Sequence, residues 1–463
     1  MIESFSYRGV WWSPIHRRRV PGDLTFTPDE GVRLTVQGEL SRGPASDRME
    51  HHPILLGRAT YFGHGSQVTL LDAYGRGRAQ HGYPGPKITV EELSVGHALL
   101  GAHLRSRDEW RFDSAEVEYH LLDQWVNEYG FQVARVTEPY KVTYKWPETI
   151  EARVPTGVAK IGRTVSHPVG YSHSLSLTER LRFDLEFDEA VDVATLHSSW
   201  LYPLQNLLTL SMRQPTWVKA VRVFSRRFKY RGKRHLRPLS LFYTQSYRPH
   251  PDAKVPHFSN TLLHYSDIKE CLGAALTGWF RMLSDLKPFA DVFFGDRYHP
   301  AAFDRSRFLT LALAVEALHR STMSNSLRPK EEFRRIVSEV AAAVPQHHRE
   351  WLKKQLVYSN EPRLRDRIAQ LCEQFKPVME PLAGDLSDFA AYVARLRNEI
   401  VHGGNRNKVS SDDIYWAVQK LEILCESFLL SSLGFSEPQL AELFERNEDY
   451  RIVRAYGKRS SPG

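Results

Sequence analysis

Arginine, asparagine and histidine stand at positions 397, 398 and 402, within the run Arg395-Leu-Arg-Asn-Glu-Ile-Val-His402. Those residue types suit the cleavage of RNA without a metal. A ribose 2′-OH must lose a proton to attack the neighbouring phosphate, and the leaving 5′-oxygen must gain one. An imidazole titrates near neutrality and can do either job. The phosphorane between the two steps carries extra negative charge, which a guanidinium matches in bidentate geometry. An asparagine beside it can orient the phosphate or the imidazole. Arginine followed by histidine after four to six residues is unspecific alone, since Arg58/His64 and Arg76/His81 also fall in that range, in stretches that read as turns and strands. A plain structural reading stands beside the chemical one: Arg397 pairs with Glu399 or a neighbour, and His402 caps a helix C-terminus, where a cation is favoured.

The elements around these residues decide what they can reach. Phe389, Val393, Leu396 and Ile400 recur at i, i+4, i+7 and i+11, which makes one apolar stripe on a helix. At about 100° per residue, Asn398 and His402 fall away from that stripe with Arg395 near them, and Arg397 lies at the edge between the faces. Ala391 and Ala394 share the far side, where small residues let another helix approach. Gly403 and Gly404 follow as helix stoppers, so His402 belongs to the last turn. Periodicity predicts further helices over 305–323, 330–343, 346–356, 362–375, 386–402, 411–433 and 437 to about 448, with Ser410-Ser-Asp-Asp413 supplying a cap and N-terminal charge. His319 and Arg320 near the end of the first of these helices either face the cleft or form a solvated helix end.

Arg397-Asn-x-x-x-His402 at a helix end resembles the signature of HEPN-domain ribonucleases. The run Phe308-Leu-Thr-Leu-Ala-Leu-Ala-Val-Glu-Ala-Leu-His-Arg320 resembles the first core helix of the ApeA-type branch. The resemblance implies a helical domain that dimerises so that two motifs face one composite cleft. Arg397 and His402 are then catalytic, Asn398 their polar partner, and Glu316 matches an acidic position of the branch; Arg320 and Arg395 are supporting candidates by their place on the helices alone. Gly9-Val-Trp-Trp-Ser-Pro14, Pro21-Gly-Asp-Leu-Thr-Phe26 and Val32-Arg-Leu-Thr-Val-Gln-Gly38 resemble the opening of the ApeA N-terminal domain, which extends the likeness over most of the chain.

At 463 residues the chain is too long for one ordinary domain. Apolar and charged fractions of 42% and 25% are those of globular proteins. The start reads as a strand rather than a signal peptide, and no apolar run reaches the roughly 18 residues of a membrane span. Cys271, Cys372 and Cys425 are odd in number and far apart, without metal-ligand or disulfide spacing, which fits a reducing cytoplasm. A net charge of +8 favours a polyanionic partner without naming it.

Short strands recur through the first half, at 33–40, 53–57, 67–72, 95–104, 115–122, 130–136, 174–187 and 217–229, which suggests a β-sandwich or a distorted barrel. The stretch 189–212 reads as a helix lying against the sheet. Glu50-His-His-Pro53 carries two metal-capable histidines but no third ligand nearby, and reads as a polar loop before a strand. The glycine-rich 75–85 lacks a phosphate-loop ending and reads as a solvated loop. Arg222, Arg226, Arg227, Lys229, Arg231, Lys233 and Arg234 are interleaved with Phe224, Phe228 and Tyr230. Such a cluster grips phosphates and stacks bases, or else is the solvated basic edge of a sheet.

The expected fold class is α+β: a β-rich, sandwich-like domain over 1–258 with a sensor or regulatory role, a helical connector over 259–300, a HEPN-like helical nuclease domain over 301–456, and a flexible tail over 457–463. The expected activity is metal-independent endoribonuclease action in prokaryotic anti-phage defence by abortive infection, on RNA with tRNA among the candidates. It needs no cofactor and no metal, acts as a homodimer or higher homo-oligomer, answers to a phage-derived trigger and stays off the membrane. Two other readings remain open: a HEPN-like module that binds RNA or a nucleotide without cutting it, and the toxin of a toxin–antitoxin pair.

Overall fold

Alternation of apolar and polar residues builds the first half. Val32, Leu34 and Val36 are buried on one strand, opposite Phe26, Leu24 and Gly22 on the next, as the two-residue period of a pleated strand requires. The reversal between them is closed by Gly31 at φ +71°, a left-handed conformation in which a side chain would also strike Thr244. The computed structural model describes residues 4–15, 18–40, 50–60, 67–81, 88–134, 141–166, 176–229, 235–245, 247, 254–402 and 410–457. Two compact units result: Met1–Ser211 with Pro215–Val255 and His264–Thr277, and Met212–Gln214 with Pro256–Leu263 and Gly278–Gly463.

The strands of the first unit are β1 (Phe5–Trp12), β2 (Val20–Thr27), β3 (Gly31–Gln37), β4 (His51–Ala59), β5 (Gln67–His81), β6 (Ile88–Leu100), β7 (Arg111–Tyr119), β8 (Phe131–Ala134), β9 (Lys141–Tyr144), β10 (Glu151–Val154), β11 (Gly157–Ser166), β12 (Thr178–Asp192), β13 (Val218–Phe224) and β14 (Leu239–Tyr243). Hydrogen bonding runs β6-β3-β2-β1-β4-β5 and returns to β6, which closes six strands into an antiparallel barrel. From β6 the sheet continues outward as β14-β13-β7-β12-β11-β10, while β8 and β9 pair separately. Of the two arrangements that the strand spacing allowed, sandwich and distorted barrel, the structure has a barrel with an open sheet attached. Trp11 is fully buried and its indole N–H donates to the Gly22 carbonyl at 3.1 Å.

Three expectations change. His51 and His52 lie inside β4, because that strand keeps pairing with β5 through His51↔Tyr74 and His52↔Ala73. Residues 75–81 are strand, since β5 is held by β6 along its length; residues 82–85 of that glycine-rich stretch lie outside the described residues. The predicted helix over 189–212 begins later. Pairing with β7 carries β12 on to Asp192, whose side chain then accepts from Thr195 N at 2.8 Å and caps the helix that follows.

The helices are α1 (Leu122–Val126), α2 (Val193–Leu196), α3 (Tyr202–Met212), α4 (Tyr265–Ile268), α5 (Leu272–Asp285), α6 (Lys287–Tyr298), α7 (Asp304–Thr322), α8 (Lys330–Ala342), α9 (Gln346–Leu356), α10 (Leu364–Gln374), α11 (Lys376–Ala383), α12 (Leu386–His402), α13 (Ser411–Ser431), α14 (Glu437–Arg446) and α15 (Glu448–Tyr456). A π-turn over His197–Leu201 joins α2 to α3. In the second unit α13 is buried on nearly every side, including Leu421, Ile423, Leu424 and Leu429, so it forms the central helix. It packs on α7, which also meets α6 and α10, while α10 supports α12. Ser410 caps α13 by accepting from Asp413 N at 3.0 Å. Where the sequence gives one last helix, two occur, because Asn447 accepts from Tyr450 N and starts α15. No helix among the described residues is long and apolar enough to cross a membrane.

The centre of this unit also holds buried charge. Glu422 and Glu426, one turn apart on α13, face Arg213, Arg297 and Arg307. Burial pushes the Glu422 carboxyl up, but the three guanidinium groups outweigh it and hold its pKa below the usual carboxylate range. At Glu426 burial wins and the pKa is raised.

Candidate active site

Helix α12 has the bounds that its apolar stripe predicts. Phe389, Val393 and Leu396 are buried and Ile400 is half-buried. Ala390 is fully buried, whereas Ala391 and Ala394 keep partial exposure. Packing against α10, α11 and α7 fixes the helix, and its last turn carries the motif.

Asn398 and His402 are exposed there, and Arg397 is half-buried. Arg397 Nη1 donates to Asn398 Oδ1 at 3.3 Å. Among the described residues Arg397 forms no ion pair with Glu399; it pairs instead with its neighbour Asn398, as the plain structural reading also allows. The Asn398 amide NH2 remains a donor beside His402, which lies one turn on along the same face. With about 100° per residue, the backbone position of Arg397 stands some 140° around the helix from His402, while its guanidinium reaches back to Asn398 at the edge of the His402 face. Arg395 is exposed, with its guanidinium 5.4 Å from the Tyr392 ring centroid. Burial, followed by the Asp413 carboxylate, raises the Tyr392 hydroxyl pKa. Gly403 and Gly404, the expected stoppers, lie outside the described residues.

The supporting candidates on α7 separate. Arg320 bonds Glu316 Oε1 at 3.1 Å and lies 3.3 Å from Glu361, at the surface. His319 is neither in a cleft nor at a solvated end, because it is fully buried. Arg367 Nη1 donates to its Nδ1 at 2.9 Å, and its Nε2 donates to Gln370 Oε1 at 2.8 Å. That fixes a neutral tautomer, in keeping with a pKa lowered chiefly by burial. Arg367, itself buried, also donates to Asn325 Oδ1 at 2.7 Å. Nothing local in the sequence marks this arginine as inward-facing; only its pairing with α7 does.

The basic cluster of the first unit is engaged with acids. Arg222 lies 3.2 Å from Glu116 and 3.7 Å from Glu118, Arg226 3.4 Å from Asp113, and Arg227 3.1 Å from Glu109. Its strand β13 lies between β7 and β14, so it is no sheet edge. Lys229 is exposed, whereas Arg231, Lys233 and Arg234 lie outside the described residues. Glu50 and His52, for which the sequence offers no third metal-capable partner nearby, lie close in space to Glu91 of β6, with one potential ligand atom of each within 4.8 Å of the others.

Comparison with known families gives two matches. The ApeA N-terminal domain 1 family matches residues 6–279, and the Apea-like HEPN family matches residues 309–439, a range that contains Arg397, Asn398 and His402. No curated protein and no solved structure matches the chain.

Proposed function

Since the chain belongs to the ApeA N-terminal domain 1 family and carries an Apea-like HEPN domain behind it, we propose that it is a metal-independent endoribonuclease of prokaryotic anti-phage defence. At the level of the family, the HEPN domain supports a nuclease-type anti-phage role. The finer reading rests on the last turn of α12. His402 and Asn398 are solvent-exposed on one face, with the Arg397 guanidinium held by Asn398 at the neighbouring edge.

In the reaction the 2′-oxygen forms a bond to phosphorus as the bond from phosphorus to the 5′-oxygen breaks. His402 accepts the 2′-OH proton, and His402 of the partner subunit delivers a proton to the leaving 5′-oxygen. Arg397 balances the charge that builds on the phosphorane, and Asn398 orients the phosphate through its amide NH2. The products are a 2′,3′-cyclic phosphate and a 5′-OH. HEPN domains typically act as dimers on RNA, which supports a site completed by a second copy, so the isolated monomer is inactive. RNA is the substrate, with tRNA among the candidates. The N-terminal unit supplies regulation in answer to a phage-derived trigger.

The test is incubation of wild type and His402→Ala with total cellular RNA in EDTA, with and without extract from infected cells, followed by mapping of the ends. Discrete His402-dependent cuts with cyclic-phosphate ends are expected. Cleavage abolished by EDTA and leaving 3′-OH ends would overturn the mechanism. RNA that is bound but left intact under both conditions would favour a binding module.

A further inference from the structure

Two strands of the barrel turn metal-ligating side chains toward each other. His52 on β4 stands opposite Ala73 on β5, which stands opposite Val95 on β6, so these three positions share one face. Glu91 lies four residues from Val95 along β6 and therefore on that same face, beside Val36 of β3. Glu50 is two residues before His52, and its carbonyl accepts from Gly75 N at 2.9 Å, which continues the pairing and the alternation.

The strand between leaves room. A Cβ at Gly75 would meet nothing nearer than Glu50 N at 3.5 Å, and one at Gly77 would meet nothing within 4 Å. A β-bulge falls between these two glycines, a device that re-aims side chains in barrels. One ligand atom from each of Glu50, His52 and Glu91 lies within 4.8 Å of the others.

The buried Glu91 carboxylate is only partly satisfied among the described residues. Glu91 is 3% exposed, and its Oε2 has no hydrogen-bond partner among the described residues. Its Oε1 faces Arg78 Nη2 at 3.4 Å, while the same guanidinium lies 3.7 Å from Glu50 and 3.8 Å from Glu39. All three separations exceed the 2.7–3.2 Å or so of a good N–H···O bond. Arg78 thus stands near three carboxylates without a close bond to any, and one buried oxygen of Glu91 is left without a hydrogen bond among the described residues, an arrangement that costs free energy.

We propose that Glu50, His52 and Glu91 form a binding site for a divalent transition-metal ion, and that Arg78 supplies the compensating positive charge when the ion is absent. Two carboxylates and a neutral imidazole balance a +2 charge. A nitrogen donor in the set favours zinc and its first-row neighbours over calcium or magnesium. Metal–ligand bonds of about 2.0–2.2 Å draw the three ligand atoms to roughly 3.3 Å apart, a closure that side-chain rotation supplies. Arg78 then withdraws along its flexible stem. Three protein ligands leave a fourth position for water or a small ligand.

The experiment uses the full chain, stripped with chelator and titrated with Zn²⁺ by calorimetry, with Co²⁺ as the spectroscopic probe. Wild type is expected to bind one equivalent at micromolar or lower Zn²⁺, and His52→Ala and Glu91→Gln to lose it. Those two side chains are buried, so the decision rests on two gentler variants. Glu50→Gln is expected to weaken Zn²⁺ binding about 10-fold or more, and Arg78→Gln to strengthen it about 10-fold by removing the competing cation. Zn²⁺ binding unchanged in both, or absent from wild type at about 100 μM, would overturn the proposal.

Discussion

The Nε2 atoms of His97 and His197 lie 3.2 Å apart although 100 residues separate them in the chain. Burial pushes His97 down to about 4, the Asp72 carboxylate opposes this, and Arg107 adds to it. Burial and then the His97 charge push His197 down to about 3. Both imidazoles stay neutral when folded, whereas the unfolded chain takes up their protons near pH 6.5. The unfolded state therefore binds more protons between about pH 6.5 and about pH 3–4, and stability falls as pH falls through that window. Thermal melts followed by circular dichroism from pH 7.5 to 4.5 should show a declining Tm, and His197→Gln should flatten the decline. A slope identical to wild type would show that the pair does not titrate on unfolding.

At the motif, stability and activity should part. His402 is exposed and Arg397 half-buried, so replacing either by alanine should change stability by no more than about 0.5 kcal/mol. RNA cleavage should fall about 100-fold or more. Arg397→Lys should not restore it, because an ammonium lacks the planar fork that grips two phosphate oxygens. Rates from end-labelled RNA, read beside melting curves, check all three.

Arg297 should carry much of the stability of the second unit. It is 2.8 Å from Glu422 and also bonds Glu426, and neither glutamate reaches water. Arg297→Ala leaves buried negative charge without its partner, at a cost of about 3–5 kcal/mol. Urea denaturation should show the midpoint lowered at unchanged slope. A loss below about 1 kcal/mol would mean that Arg213 and Arg307 suffice for both carboxylates.

Gly57→Ala tests the barrel. A Cβ at Gly57 would enter the space of the Trp11 ring, which has nowhere to go because it is fully buried. Overpacking of this kind costs about 1–3 kcal/mol. Leu56→Met, next to it in the strand, should cost less than about 1.5 kcal/mol, since it conserves volume. Guanidinium melts of the two variants compare them directly.

The sequence was readable where the forces are local. Helix α12 runs over the expected residues 386–402 because its stripe of Phe389, Val393 and Leu396 lies within four turns of chain. The Ser410 cap is visible for the same reason. Barrel closure was not legible, because it depends on partners far apart: Val32 with Val95 and Trp11 with Gly57. Glu91 lies ahead of the strand expected over 95–104, and only the longer β6, paired with β3 and β5, buries it. His319 reads as a cleft or helix-end residue and Arg367 carries no local signal, whereas both are buried and bonded to each other. The motif itself was legible as residue types, while the side each residue occupies follows from helix geometry.

Translation adds a time axis to this topology. The barrel cannot close until β6 has been made, and the sheet beyond it needs β14, which ends at Tyr243. The whole first unit is complete in the chain by Thr277. Arg397 follows 120 residues later (397 − 277), which at about 5–20 residues per second is roughly 6–24 s of synthesis. A nascent chain therefore has time to assemble its β unit before the last turn of α12 exists. A cell making this protein meets the motif only on chains whose N-terminal half has already had its chance to fold.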